Sequence, residues 1–160
     1  MSDFDRNREQ ARQRGDQPPA GGGDRLHHVK KIISTDDPQL LVRQAEEIGR
    51  QVAGAKLTTS QIRNVYGPVR QIELTWPETI QTEEEQRNAS AAYRQAILLK
   101  PKMGYLAARE KKLADLEQIF NAAIDEISQA ADQGERRVRF RRFVEFFEAI
   151  LAYHKKYGGK

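Results

Sequence analysis

The spacing of apolar positions divides most of the chain into helix-length segments. In GERRVRFRRFVEFFEAILAYHKKYGGK, residues 134–160, at about 100° per residue Phe140, Phe143, Val144, Phe147, Ile150, Leu151 and His154 share one broad face that must be buried. Arg137, Arg141, Glu145, Glu148, Ala152, Lys155 and Lys156 fall on the other. Gly134 suits the end of an earlier helix, and Gly158 with Gly159 can take the positive φ that stops this one. Upstream, order is expected from Ile32. Asp36, Asp37 and Pro38 read as cap and first-turn residues of a helix to about Ala53, with Leu41, Ala45, Ile48 and Val52 as its stripe.

Gly54 ends that helix, and Thr58 with Gln61 forms a capping box for TSQIRNVYGPVRQIEL, whose buried side is Ile62, Val65, Val69 and Ile72. Gly67 and Pro68 interrupt it: proline lacks the backbone donor and clashes with the preceding turn, so a kink or break is expected. A second box, Thr82 with Glu85, opens a helix through Leu99, and three glutamates in its first turn suit the positive end of the helix dipole. Pro101 marks a boundary, after which helical spacing resumes through Leu106, Leu113, Leu116, Phe120, Ile124 and Ile127, with a break near Lys111. No stretch alternates with period two long enough to be a strand. The pattern predicts an all-α fold, a bundle of about five helices forming one domain over residues 32–160.

Residues 1–24 have almost no apolar content and end in two prolines and a glycine run, too little to offset ordering entropy. Residues 1–31 are therefore expected to form a disordered tail. Without a run of about 18 apolar residues or a signal-like start, the expected protein is soluble and cytoplasmic, with no membrane contact. The absence of cysteine excludes disulfides and thiolate metal sites.

Charge is unevenly spread. Residues 134–160 carry eight Lys or Arg against three Glu (+5), residues 36–133 twelve basic against fifteen acidic (−3), and residues 1–35 seven against five (+2), which together give the net +4. Five arginines, Arg136, Arg137, Arg139, Arg141 and Arg142, fall within seven residues, an electrostatic footprint that fits a polyanion partner or a solvated helix face. Arg139 and Arg142 lie at the aromatic edge of the wheel, where their stems can pack along Phe146 or Tyr153.

Candidate catalysis is thin. His27 and His28 are adjacent and have no ligand partner at metal spacing. His154, on the apolar face, reads as a hydrogen-bonded core residue, and Glu148 lies about 120° away from it on the wheel, out of mutual reach. Convergent carboxylates, a phosphate-cradling glycine loop and a nucleophile with a base partner are all missing from the sequence. The expectation is no enzyme, no cofactor and no metal.

Three segments, KLTTSQIRNVYG (56–67), LLKPKMGYLAARE (98–110) and above all FVEFFEAILAYHKKYGGK (143–160), resemble, in that order, the small helical subunit of the type III-A CRISPR interference (Csm) complex. The resemblance spans roughly residue 56 to the end; Gly67-Pro68 departs from the more regular helix of that family. It implies a non-catalytic building block that stacks head to tail with its own copies along larger Csm subunits and contacts the sugar-phosphate chain of guide and target RNA. By position in the resembling motifs, Lys56, Arg63, Lys102 and Arg109 are the expected RNA-contacting residues, with Arg137 and Arg141 added on charge density and outward direction. Backbone contact by arginine fits a system in which base pairing selects the sequence. The alternative is a helical adaptor that binds only protein, its arginines meeting acidic partners.

Overall fold

Helix starts follow the capping residues in the sequence. The Asp37 carboxylate accepts from Leu40 N at 3.0 Å, with Pro38 in the first turn. Thr58 and Gln61 form the full reciprocal box, at 3.1 and 2.8 Å. Thr82 accepts from Glu85 N, while the Glu85 carboxylate turns back to Gln81 N rather than to Thr82 itself. The computed structural model describes residues 22–160, and these form six α-helices with no strand: α1 (Gly22–Ser34), α2 (Pro38–Gly54), α3 (Thr59–Thr75), α4 (Glu83–Arg109), α5 (Ala114–Ser128) and α6 (Gln133–Lys156). A 3₁₀ turn, Lys111–Leu113, sits at the break expected near Lys111.

The core is built on α6, which touches every other helix and α2 most extensively. Phe140, Phe143, Phe146 and Phe147 are fully buried along it, and Phe120 of α5 meets two of them edge-to-face, its ring centroid 5.0 Å from that of Phe143 and 5.4 Å from that of Phe147. Such pairs add about 0.5–1.5 kcal/mol beyond their burial. Because neighbours surround α6, its buried arc is wider than the predicted face: Phe146 is inside, whereas Leu151 is half-buried. On α2, held between α1 and α6, Leu40 and Gln44 join Ala45, Ile48 and Val52 inside, and Leu41 is only half-buried.

Contact between α2 and α6 is close enough to exclude a side chain. A Cβ on Gly49 would lie 2.5 Å from Tyr153 Cβ and 2.9 Å from the His154 backbone nitrogen. At the end of α6, Gly158 takes φ +89°, and Gly159 lies directly on the His154 ring, its N–H donating to the His154 carbonyl at 2.8 Å. The Tyr157 hydroxyl closes the seam, donating to Glu46 and accepting from Arg50 Nη2.

Three expectations are corrected. Residues 22–31 are not tail: α1 starts ten residues before Ile32, because Leu26, Val29, Ile32 and Ile33 make a short apolar stripe that packs on α2, α5 and α6. The rest of the expected tail lies outside the described residues. Gly134 does not end a helix but lies in the first turn of α6, where Asp132 is the N-cap and accepts from Glu135 N at 2.8 Å. Neither proline breaks its helix: α3 runs through Pro68, and α4 runs through Pro101 for 27 residues, about 40 Å. The carbonyls four residues earlier lose their donors, but both prolines face an open groove, where water can take the donor's place.

Candidate nucleic-acid interface

α3 and α4 pack antiparallel: Gln61, near the start of α3, donates through Nε2 to Glu110 Oε2 at the end of α4 at 3.1 Å, while Pro68 lies farther along with Leu98. Between them runs an open groove of about 570 Å³ lined by Asn64, Pro68, Leu98, Pro101, Lys102, Tyr105 and Leu106. Lys102 stands in its wall. Arg109, one turn beyond Tyr105, donates to that hydroxyl at 3.0 Å and rests 5.6 Å from the ring centroid. Arg63 is exposed one turn into α3, beside Asn64.

Lys56 occupies the turn between α2 and α3 with φ +63°, the left-handed region usually left to glycine. Its N–H donates to the Ala53 carbonyl at 3.0 Å and that of Leu57 to Val52 at 3.1 Å, which closes the end of α2. Holding a lysine there costs on the order of 1 kcal/mol. His154 supports the turn from below, fully buried, with Nε2 2.6 Å from the Leu57 carbonyl. Since a carbonyl only accepts, Nε2 carries the proton. The expected core role of His154 is thus a specific one: it ties α6 to the turn that presents Lys56.

Lys56, Arg63 and Arg109 therefore lie toward one end of the α3–α4 pair, with Lys102 farther along the groove opposite Pro68, and none of the four has a carboxylate partner among the described residues. Sequence reading passed over Lys111 and Lys112, both exposed in the 3₁₀ turn that follows Arg109 at this same end. The KK pair after Arg109 was the available signal.

The structure does not bring Arg137 and Arg141 to this cluster. They lie on α6 beside Trp76, the C-cap of α3, and 13 residues of α3 separate Arg63 from Trp76, about 20 Å of helix. The arginine run divides by direction. Arg139 donates to the Glu126 carbonyl at 2.6 Å and pairs with Glu135 at 3.2 Å. Arg142 donates to the Ile33 carbonyl at 3.1 Å, and Arg136 lies 4.3 Å above the Tyr93 ring. Arg141 remains toward solvent beside Glu145 at 3.4 Å, whereas Arg137 is mostly covered, with Glu78 3.7 Å from its guanidinium.

The carboxylates near His154 in sequence do not meet it in space. Glu148, half-exposed, accepts from the Tyr66 hydroxyl at 2.7 Å and lies 3.7 Å from Arg70. Burial, and next the bond to Glu148, push the Tyr66 phenol well above its usual range, so it stays a neutral donor. Among the described residues no group of three or more His, Asp or Glu is placed to hold a metal, and no helix is long and apolar enough to cross a membrane.

No curated protein and no solved structure matches the chain. A family model does: Csm2 type III-A, over residues 35–160. The match takes in α2 through α6 and leaves α1 outside, so it extends about twenty residues upstream of the segments whose motifs carry the resemblance. By that match the chain belongs to the Csm2 family, the small non-catalytic subunit of the type III-A CRISPR effector.

Proposed function

We propose that this subunit grips the sugar-phosphate backbone of guide and target RNA through Lys56, Arg63, Lys102 and Arg109, with Arg137 and Arg141 as a second point of contact along α3. It does so in the cytoplasm as one of several copies stacked head to tail beside the larger Csm subunits. The observation that supports this is placement: three cations from separate stretches of sequence lie toward one end of two packed helices and a fourth in the groove between them, without carboxylate partners among the described residues. Cations on rigid helices suit a strand whose sequence is read by base pairing, because phosphate contacts position without specifying. Each copy reaches few phosphates, so affinity accumulates over the stack.

In the assembled complex, Arg63→Glu and Arg109→Glu are expected to weaken RNA capture for all target sequences alike, and each lost phosphate contact to flatten the slope of log affinity against log salt by about one unit. Capture and slope both unchanged would refute the reading. A second reading, an adaptor that binds only protein, draws on the apolar floor of the groove, where Leu98 and Tyr105 are exposed. It predicts that the same substitutions loosen subunit assembly and leave RNA affinity intact.

A further inference from the structure

A smaller cavity, about 160 Å³, lies between the end of α3, the segment after it and the first half of α6. It is bounded by Glu73, Trp76, Glu78, Arg137, Phe140 and Arg141. Two of these residues carry buried N–H groups with no acceptor among the described residues: Trp76 at Nε1 and Arg137 at Nε. Trp76 is almost wholly buried, its ring tilted against Phe140 with centroids 5.2 Å apart. A buried donor left unmet costs about 1–3 kcal/mol, more when charged, and folded proteins rarely tolerate one. Both belong to residues that bound one cavity, and the chain itself supplies an acceptor to neither.

The carboxylates nearby do not supply it. Glu78 stands 3.7 Å from Arg137 Nη2, beyond hydrogen-bond length, and its side chain is 88% exposed. Glu73 is drawn to Arg70, and Glu145 to Arg141. Flat two-oxygen groups are thus already at hand, and both donors stay unmet. A phosphate carries oxygens in tetrahedral array, which can reach an indole N–H and a guanidinium lying in different planes. The cavity is well above the roughly 10–15 Å³ that a single water needs.

We propose that this cavity receives one phosphodiester group of an RNA strand. Trp76 Nε1 and the Arg137 guanidinium donate to its oxygens, Arg141 adds charge at the mouth, and Glu78 is the anion that the phosphate displaces. The assignment rests on the RNA-binding role proposed above. It adds to that role a hydrogen-bond donor that charge alone would never nominate, and a carboxylate that competes with the ligand.

Trp76 is the only tryptophan in the sequence, so the indole N–H gives a single resonance in a ¹⁵N–¹H spectrum of the full chain. Titration with dimethyl phosphate, and separately with a short single-stranded oligoribonucleotide, is expected to move it downfield and to saturate. Arg137→Gln should raise the half-saturating concentration about tenfold, the usual effect of losing a charge-assisted hydrogen bond. Glu78→Gln, a change at an exposed side chain that leaves the fold intact, should lower it about two- to fivefold, since an exposed ion pair is all that must be broken. An indole resonance that ignores both probes, or that responds equally in wild type and Arg137→Gln, would show a water-filled structural cavity and overturn the proposal. A response to acetate but not to dimethyl phosphate would overturn it in favour of a protein carboxylate. If Arg63→Glu weakens RNA capture while the indole stays silent, the cavity assignment falls and the wider RNA reading stands. If the indole responds but Arg63→Glu and Arg109→Glu leave capture unchanged, the RNA reading falls, and the RNA assignment of the cavity with it.

Discussion

The α2–α6 seam and the α3–α4 groove are both contacts between antiparallel-length helices, yet they are built to opposite ends. Along the seam, Gly49 brings two backbones together, Gly159 covers His154, and Tyr157 bonds across to Glu46 and Arg50. Along the groove, two prolines release backbone carbonyls and Tyr105 and Leu98 stay exposed, and on the same α3 a Cβ at Gly67 would meet only open space. The seam uses its glycines to exclude solvent, and the groove leaves its surface unfilled. Cations placed on the groove side stand on helices packed against α6, the division of labour that the proposed backbone-gripping role needs.

The sharpest way to break this contrast is through the aromatic core behind the seam. Phe147→Ala should lower unfolding free energy by about 3–5 kcal/mol in urea denaturation, since three rings and α6 itself lose their packing. Gly49→Ala is the subtler cut. A methyl group there must push Tyr153 or the α6 backbone aside, so a loss of about 1–3 kcal/mol is expected, reported by the urea midpoint. The same substitution at Gly67 should have the opposite sign. With nothing among the described residues within 4 Å of the added methyl, Gly67→Ala should stabilise α3 by about 1 kcal/mol and raise the midpoint. If the two glycine substitutions shift the midpoint in the same direction, the contrast between a filled seam and an open groove is mistaken.

Much of this was legible beforehand, for local reasons. Caps at Asp37, Thr58 and Thr82 act within four residues, and the buried face of α3 follows from spacing, as does that of α6 except at Phe146 and Leu151. What escaped depends on partners far along the chain. The short stripe from Leu26 to Ile33 is too small to hold a helix by itself and forms one only against α2, α5 and α6. Pro68 and Pro101 carry the same local signal as helix breakers, and only their position on an open groove removes the cost. For the candidate site, spacing put Arg63, Lys102 and Arg109 on helix surfaces. It could not say that Arg139 would be spent on Glu126 and Arg142 on Ile33, or that Trp76 would leave its indole unmet beside Arg137.

That every helix leans on α6 also bears on how the protein is made. A ribosome delivers α1 through α5 before the segment that supplies four of the five core phenylalanines, so the earlier helices emerge with apolar stripes that they cover only in part among themselves. A chain halted upstream of Phe140 is expected to keep the apolar positions that α6 covers open to water.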